Sequence, residues 1–218
     1  MKKTIIAAVA GLVVTGYAYA GELGGEVGIT SDYTFRGISM SDEDPSVFGN
    51  VNYTLGNLTV TGTASQVAKH LSDNNTEFTV SADYYIPVTS ALIAQVGVIY
   101  YNYDNVLDVN TVEYNAGVTL NTGKLATQVK TSYSEQYFGY NKDNWYTEVN
   151  AAYALPYDIS LTGHYGYTSV TESNDYKVGA LKTFGKNVVG EVAWVKTEDA
   201  SAGRFGDDRW VATAKYRF

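Results

Sequence analysis

The chain has 218 residues, with 23 Asp and Glu against 15 Lys and Arg, for a formal net charge of −8. That balance argues against nucleic acid as a partner, and the absence of Cys excludes disulfides and thiolate metal sites. No segment reaches the roughly eighteen consecutive apolar residues of a membrane-spanning helix, so an integral membrane form has to be a β-barrel.

At the amino terminus, Lys2 and Lys3 precede an apolar stretch from Ile5 to Val14, followed by Ala18, Tyr19 and Ala20. A charged start, a short apolar stretch and an A-x-A site predict that residues 1–20 are a secretory signal peptide, removed on export. The apolar stretch is too short to serve as a spanning anchor. Without its two lysines the mature chain would carry −8 − 2 = −10.

From residue 21 onward the chain reads as about twelve alternating segments, near 22–34, 46–55, 58–68, 76–86, 91–102, 111–121, 124–134, 145–154, 159–169, 175–183, 188–197 and 208–218. Tight turns at 56–57, 87–90, 122–123, 155–158 and 185–187 carry Gly, Pro or Asn. They alternate with longer polar loops near 35–45, 69–75, 103–110, 135–144, 170–174 and 198–207. Turns at one end and loops at the other is the asymmetry of outer-membrane barrels. The even count puts both termini at the turn end. No linker or composition shift divides 21–218, which is read as one domain.

Within the segments the period is two. Leu92, Ala94, Val96, Val98 and Tyr100 share a face, as do Val112, Tyr114, Ala116, Val118 and Leu120. Between them lie polar or small residues such as Glu113, Asn115, Gly117 and Thr119. One face suits lipid and the other water. Two segments are less regular: 91–102 also puts Ile93, Ile99 and Tyr101 inside, and 175–183 leaves Lys182 toward lipid unless a bulge intervenes. Aromatic residues gather near segment ends, among them Tyr33, Phe35, Tyr53, Tyr84, Tyr114, Trp145, Tyr165, Trp194 and Trp210, as expected of interfacial girdles. The last segment alternates Trp210, Ala212, Ala214 and Tyr216 with Arg209, Thr213, Lys215 and Arg217, and ends on Phe218. It looks like the closing strand that barrel-assembly machinery reads. The expected fold class is all-β: a transmembrane antiparallel up-and-down β-barrel of about 12 strands.

At the end of the first segment stand Ser31, Asp32, Tyr33, Thr34, Phe35, Arg36, Gly37, Ile38 and Ser39, followed by the acidic Asp42, Glu43 and Asp44. This stretch resembles the TorF family of outer-membrane porins, marked by S-D-Y-x-F-R-G-I-S, with Met40 standing where members often carry Gln. The resemblance implies a Gram-negative outer-membrane location and a transport role. Alternation places Asp32, Thr34 and Arg36 on the lumenal face and Tyr33 and Phe35 at the outer interface. Arg36 and Asp32 either set the field over a pore or pair with each other to fix the loop.

The inward charges are Glu22, Glu26, Asp32, Glu77, Asp83, Glu113, Glu148 and Glu191 against Arg36, Lys130, Lys177, Arg209, Lys215 and Arg217. Mixed signs can brace a barrel or line a passage. Lys215 and Arg217 are placed to meet Glu22 and Glu26 across a closing seam, whereas Glu113, Lys130, Glu148 and Glu191 fall near mid-strand. The candidate pore-lining residues are Asp32, Arg36, Glu113, Lys130, Glu148, His164, Glu191 and Arg209. His164 falls on the inner face, whereas a barrel lipase would need it on the lipid-facing wall beside a serine. His70, near Lys69 and Asp73, has no second ligand at metal spacing. The acidic clusters at 42–44 and 207–208 are solvated loop tips or cation bridges to lipopolysaccharide. No catalytic, cofactor or metal site is expected.

Twelve strands lie between the filled eight-stranded barrel and the open sixteen-stranded porin. The expected function is a narrow porin-like channel for passive diffusion of small polar or charged solutes, with the aromatic 135–144 loop either as a constriction or as a tip that contacts lipopolysaccharide. Its expected partners are outer-membrane lipid and lipopolysaccharide, the assembly machinery through Phe218, and the solutes themselves. The alternative is a structural or adhesive barrel with a plugged lumen, acting through its outer loops.

Overall fold

The computed structural model describes residues 21–104 and 109–218. The expected signal peptide and residues 105–108 lie outside the described residues. Twelve strands close into an antiparallel barrel: β1 (Glu22–Thr30), β4 (Ser46–Leu55), β5 (Leu58–Gln66), β6 (Thr76–Pro87), β7 (Leu92–Tyr103), β8 (Thr111–Thr122), β9 (Leu125–Ser134), β10 (Asn144–Ala154), β11 (Ile159–Thr168), β12 (Ser173–Phe184), β13 (Val188–Thr197) and β14 (Arg209–Arg217). Each pairs with its chain neighbours, and β14 returns to β1. The two remaining strands, β2 (Thr34–Phe35) and β3 (Ile38–Ser39), form a separate hairpin. A short 3-10 segment, Ala200–Gly206, lies in the last loop.

Alternation produces this closure because an unpaired sheet edge in hydrocarbon would leave backbone groups unsatisfied. At the seam, Glu26 lies opposite Arg217 and Ile29 opposite Ala214. Gly25 and Phe218 exchange both backbone hydrogen bonds, at 3.1 and 3.0 Å. Inside, the Glu26 carboxylate accepts from Lys215 at 3.1 Å and Arg217 at 3.3 Å, the seam anticipated from the charges. The tight turns follow their residues. Gly56 and Gly123 take φ of +61° and +66° between the paired residues Leu55 and Leu58, and Thr122 and Leu125.

The outward positions expose Leu23, Val51, Val80, Val118, Val178 and Trp210, so the apolar surface is on the outside. No bulge interrupts β12: its register with β13 runs unbroken from Asp175 to Phe184. Lys182 therefore does face outward, near the turn end, with its ammonium 5.6 Å from the Phe184 ring centre. A long basic side chain there can snorkel to the interface.

The inward positions divide by height. On β8, Thr111 and Glu113 at the loop end are buried while Asn115 and Gly117 are half-buried; on β12, Ser173 and Asp175 are buried while Lys177 and Gly179 are half-buried. The same gradient runs along β4, β5, β6 and β11, whereas on β8, β10, β12 and β13 burial returns toward the turn end at Thr119, Ala152, Leu181 and Val189. The loop end of the barrel is filled, while mid-height inward residues such as Asn115, Glu148, His164 and Lys177 stay half-buried. The filling is a core of Val67, Tyr101 and Tyr103 packed with Tyr33, Phe35, Met40, Leu71, Ile99, Val109 and Phe138.

This corrects one expectation. The first strand ends at Thr30 and does not run on to 34, so Tyr33 and Phe35 lie inside the barrel and not at the outer interface. Ser31 still donates its backbone N–H to Ala212 on β14 at 2.8 Å, and beyond it the Asp32 carboxylate turns to Ser39 and Ser41 and, across the seam, to Arg209. The other strand boundaries fall within a few residues of those expected.

The Phe218 ring packs over Gly25, where an added Cβ would lie 2.7 Å from the ring and 2.5 Å from the Asn50 carbonyl oxygen. We expect Gly25→Val to destabilise the closing seam by about 1–3 kcal/mol, the cost of overpacking a close contact. A lower urea midpoint in detergent micelles, read by tryptophan fluorescence, checks this; an unchanged midpoint would show that the ring can move aside freely.

Candidate functional site

The site is the occupied loop end and the half-exposed lumen below it. Residues 31–45 fold into the barrel as the β2–β3 hairpin, in which Phe35 pairs with Ile38. Arg36 and Gly37 between them take φ of +51° and +77°, the two positive values of a type I′ hairpin turn. The hairpin's base is held by Asp32, whose carboxylate accepts from the Ser39 hydroxyl at 2.6 Å, the Ser41 hydroxyl at 2.9 Å and Arg209 at 3.0 Å. Its tip rests on β13: a Cβ on Gly37 would lie 2.6 Å from the Lys196 carbonyl oxygen.

From that tip Arg36 crosses the lumen. Its Nη2 donates to both oxygens of Glu113 on β8, at 2.8 and 2.9 Å. The guanidinium lies over the rings of Tyr146 at 3.7 Å, Phe35 at 4.7 Å and Tyr137 at 5.3 Å, a cation–π enclosure. Asp32 and Arg36 are thus not paired with each other; each reaches a different wall. Tyr33 donates to Glu77 on β6 at 2.9 Å, and Tyr103 donates to the same carboxylate. Phe35 meets Tyr101 and Phe138 edge to face, with centroids 5.6 and 5.3 Å away.

The 135–143 loop completes the cover by turning Tyr137 and Phe138 inward. The Phe138 backbone N–H donates to the Thr111 hydroxyl at 2.9 Å. Burial raises the Tyr137 phenol above its usual range, against the pull of neighbouring Arg36, so the ring stays neutral. Tyr140 remains exposed. Of the candidate pore-lining residues, Asp32, Arg36 and Glu113 therefore sit in the packed cover, and Arg209 stands beside it between Asp32 and Glu43, 3.5 Å from the latter.

Below the cover the inner wall carries a hydrogen-bonded polar ladder. Lys130 pairs with Glu148 at 2.8 Å, and Asn150 donates to Glu148 at 2.9 Å and to Gln128 at 3.3 Å. Gln128 continues to Gln95, which donates to Asp83 at 3.2 Å. His164 places one ring nitrogen 2.7 Å from the Asn150 side-chain oxygen and the other 2.6 Å from Asp175. It thus faces the lumen, away from the lipid-facing wall that a lipase would need. Tyr146 donates to Asp175 from above and carries the ladder to the Arg36 enclosure. Lys177 pairs with Glu191 at 2.7 Å on the next wall.

Asp175 and Tyr146 are absent from the residues singled out by sequence, whereas alternation places Tyr101 inside and Tyr33 at the outer interface, and Tyr137 belongs to the loop expected as a constriction or a lipopolysaccharide contact. Asp175 shares a face with Lys177 and could have been found by extending that strand's alternation outward. The inward tyrosines carried a weaker signal, the irregular inner face of 91–102. His70 lies 3.4 Å from Asp42 and stacks on Phe205, while Asp208 accepts from the Trp194 indole at 3.0 Å. Among the described residues no group of His, Cys, Asp and Glu is arranged to hold a metal ion.

Residues 16–218 match a family described as bacterial proteins of unknown function, Gcw_chp. The chain belongs to the Gcw_chp family. No curated protein matches it. Among solved structures, this Gcw_chp chain is similar to the KdgM porin in complex with disordered oligogalacturonate, with a TM-score of 0.65 and 11% identity over 91% of this chain and 99% of that one. It is similar to the NanC porin, with a TM-score of 0.59 and 9% identity over 90% of this chain and 98% of that one. An outer-membrane channel from Pseudomonas putida F1 gives 0.56 and 14% identity over 93% and 96%. At these identities the likeness is one of fold: the Gcw_chp chain is a closed twelve-stranded barrel of the small-porin kind.

In this Gcw_chp barrel, Arg36→Ala would leave Glu113 buried without its cation, at a cost of about 3–5 kcal/mol. The expected result is faster amide exchange across residues 34–39 with little change in β11 to β13, measured by hydrogen–deuterium exchange in micelles. Unaltered protection of the hairpin would mean that Asp32 and the aromatic packing hold it without Arg36.

Proposed function

We propose that the protein is an outer-membrane channel through which small polar or charged solutes diffuse passively, with the β2–β3 hairpin and the 135–143 loop as its constriction. The observation that carries this reading is the lumen below the hairpin, half-exposed and lined by Lys130, Glu148, His164, Lys177 and Glu191. A barrel serving only as a scaffold has no need of a half-exposed polar interior. The similar fold of the porins described above supports the same reading. The oligogalacturonate held by the KdgM porin brings short oligosaccharides into the class of solutes worth testing here.

In this reading residues 1–20 direct export, the turns face the periplasm, and Phe218 ends the strand read by the assembly machinery. The Ser31 to Ser39 stretch keeps its resemblance to the TorF porins, now as the constricting hairpin. Lipid surrounds the apolar wall, and lipopolysaccharide meets the outer loops.

One observation favours a second reading. The loop end is packed, with Arg36 and Glu113 buried across it, as in a plugged barrel that acts through its outer loops. Single-channel recording of the full-length expressed protein, extracted from outer membranes, separates the two. We expect discrete steps, larger when Thr34 to Ser39 are replaced by a Gly-Ser linker. Steps only in the linker variant would support the plugged barrel, and a folded barrel that conducts in neither form would sink the channel.

A further inference from the structure

From the relative reach of its lumenal charges, we infer that this channel prefers anions despite the chain's acidic balance. The inference rests on the channel reading above and concerns the chemistry of the solute. In the lumenal ion pairs the base stands further into the water than the acid. Lys130 is 28% exposed against 12% for Glu148, and Lys177 is 38% exposed against 19% for Glu191. Arg209 over Asp32 follows the same order. At the turn-end rim, Arg217 is more exposed than Glu26, while Lys215 is 19% exposed against 20% for Glu26.

The cause is geometric. Carboxylates on short stems are held back by neighbouring donors: Glu148 by Asn150 two residues on in the same strand, Asp175 by Tyr146 from β10, and Asp32 by Ser39 and Ser41 of its own hairpin. Lysine stems reach past them. Of the other inward acids, Glu77 and Glu113 are buried in the cover and Asp83 is held by the Gln95 amide, while Glu22 is exposed at the turn-end rim. Each pair is then a dipole with its positive end toward the passing solute. In a narrow bore the nearest charge dominates, because Coulomb energy falls with distance and solvent screening adds to the decline. The order reverses by a wide margin only at the outer mouth, where Glu43 is more exposed than Arg209. Glu43 is 43% exposed, so salt screens it more than the half-buried charges below.

The test is the reversal potential across a KCl gradient in planar bilayers, with the intact protein and with Lys130→Gln/Lys177→Gln and Glu191→Gln. Chloride preference is expected in the parent. It should shift toward zero in the double lysine variant and grow in Glu191→Gln, with heat-modifiable mobility showing that each variant is folded. Potassium preference in a conducting parent overturns the inference and leaves the channel standing, as does a reversal potential that ignores both lysines. A folded parent that carries no current overturns the channel reading and this inference with it.

Discussion

Arg36 is a permanent cation carried on a hairpin tip across the lumen, and the loop half of the molecule is arranged around it. A guanidinium so placed must be neutralised and enclosed, since an unpaired charge away from water is too costly to keep. Glu113 supplies the opposite charge, and Phe35, Tyr137 and Tyr146 supply ring faces. Those groups come from the hairpin itself, the 135–143 loop, β8 and β10. The charge therefore ties together parts of the chain that the barrel ladder alone would leave independent. Asp32 at the hairpin base does the same for the closing seam, binding Arg209 on the last strand.

The wall obeys a different constraint, the two solvents on either side of it. Backbone groups have to be paired within the sheet, so the sheet closes, and every second side chain meets hydrocarbon. That inverts the ordinary arrangement: Val51, Val80 and Val118 are exposed, while Gln95, Gln128 and Asn144 are buried. Among the described residues, the packed cover is the larger of two apolar clusters, the other being Ala152 with Tyr85. The two halves of the lumen differ accordingly, one filled by aromatics and the other lined by the polar ladder.

This division explains what could be read from sequence. The barrel was legible because alternation reports the two media directly, and the turns carry residues suited to their backbone. Closure between Glu26 and the terminal basic pair was legible for the same reason. The inward hairpin was not, because Tyr33 and Phe35 continue the strand's alternation formally although the chain has already left the wall beyond Ser31. The period of two says which side chains share a face only while the strand lasts. Two local signals pointed the other way: Arg36 followed by Gly37 suits a tight hairpin turn, and Ser31, Ser39 and Ser41 surround Asp32 with hydroxyls. The inward Tyr101 and Tyr103 also needed a cover, which sequence could not locate.

The cover limits how a solute could pass. Detaching the hairpin means breaking the Arg36–Glu113 pair, at about 3–5 kcal/mol before any aromatic packing is counted. At tenfold per 1.4 kcal/mol, that leaves at most roughly one molecule in a hundred to one in a few thousand open at equilibrium. Spontaneous release would give rare openings and almost no steady current. Steady conductance therefore requires a water path beside the hairpin, along the wall where Arg209 and Glu43 stand. Otherwise it requires a solute that binds the displaced state more tightly than the closed one and shifts the population by that difference. The two routes differ in kind. A path beside the hairpin gives constant leakage to small ions, whereas a displaced hairpin ties opening to solute concentration.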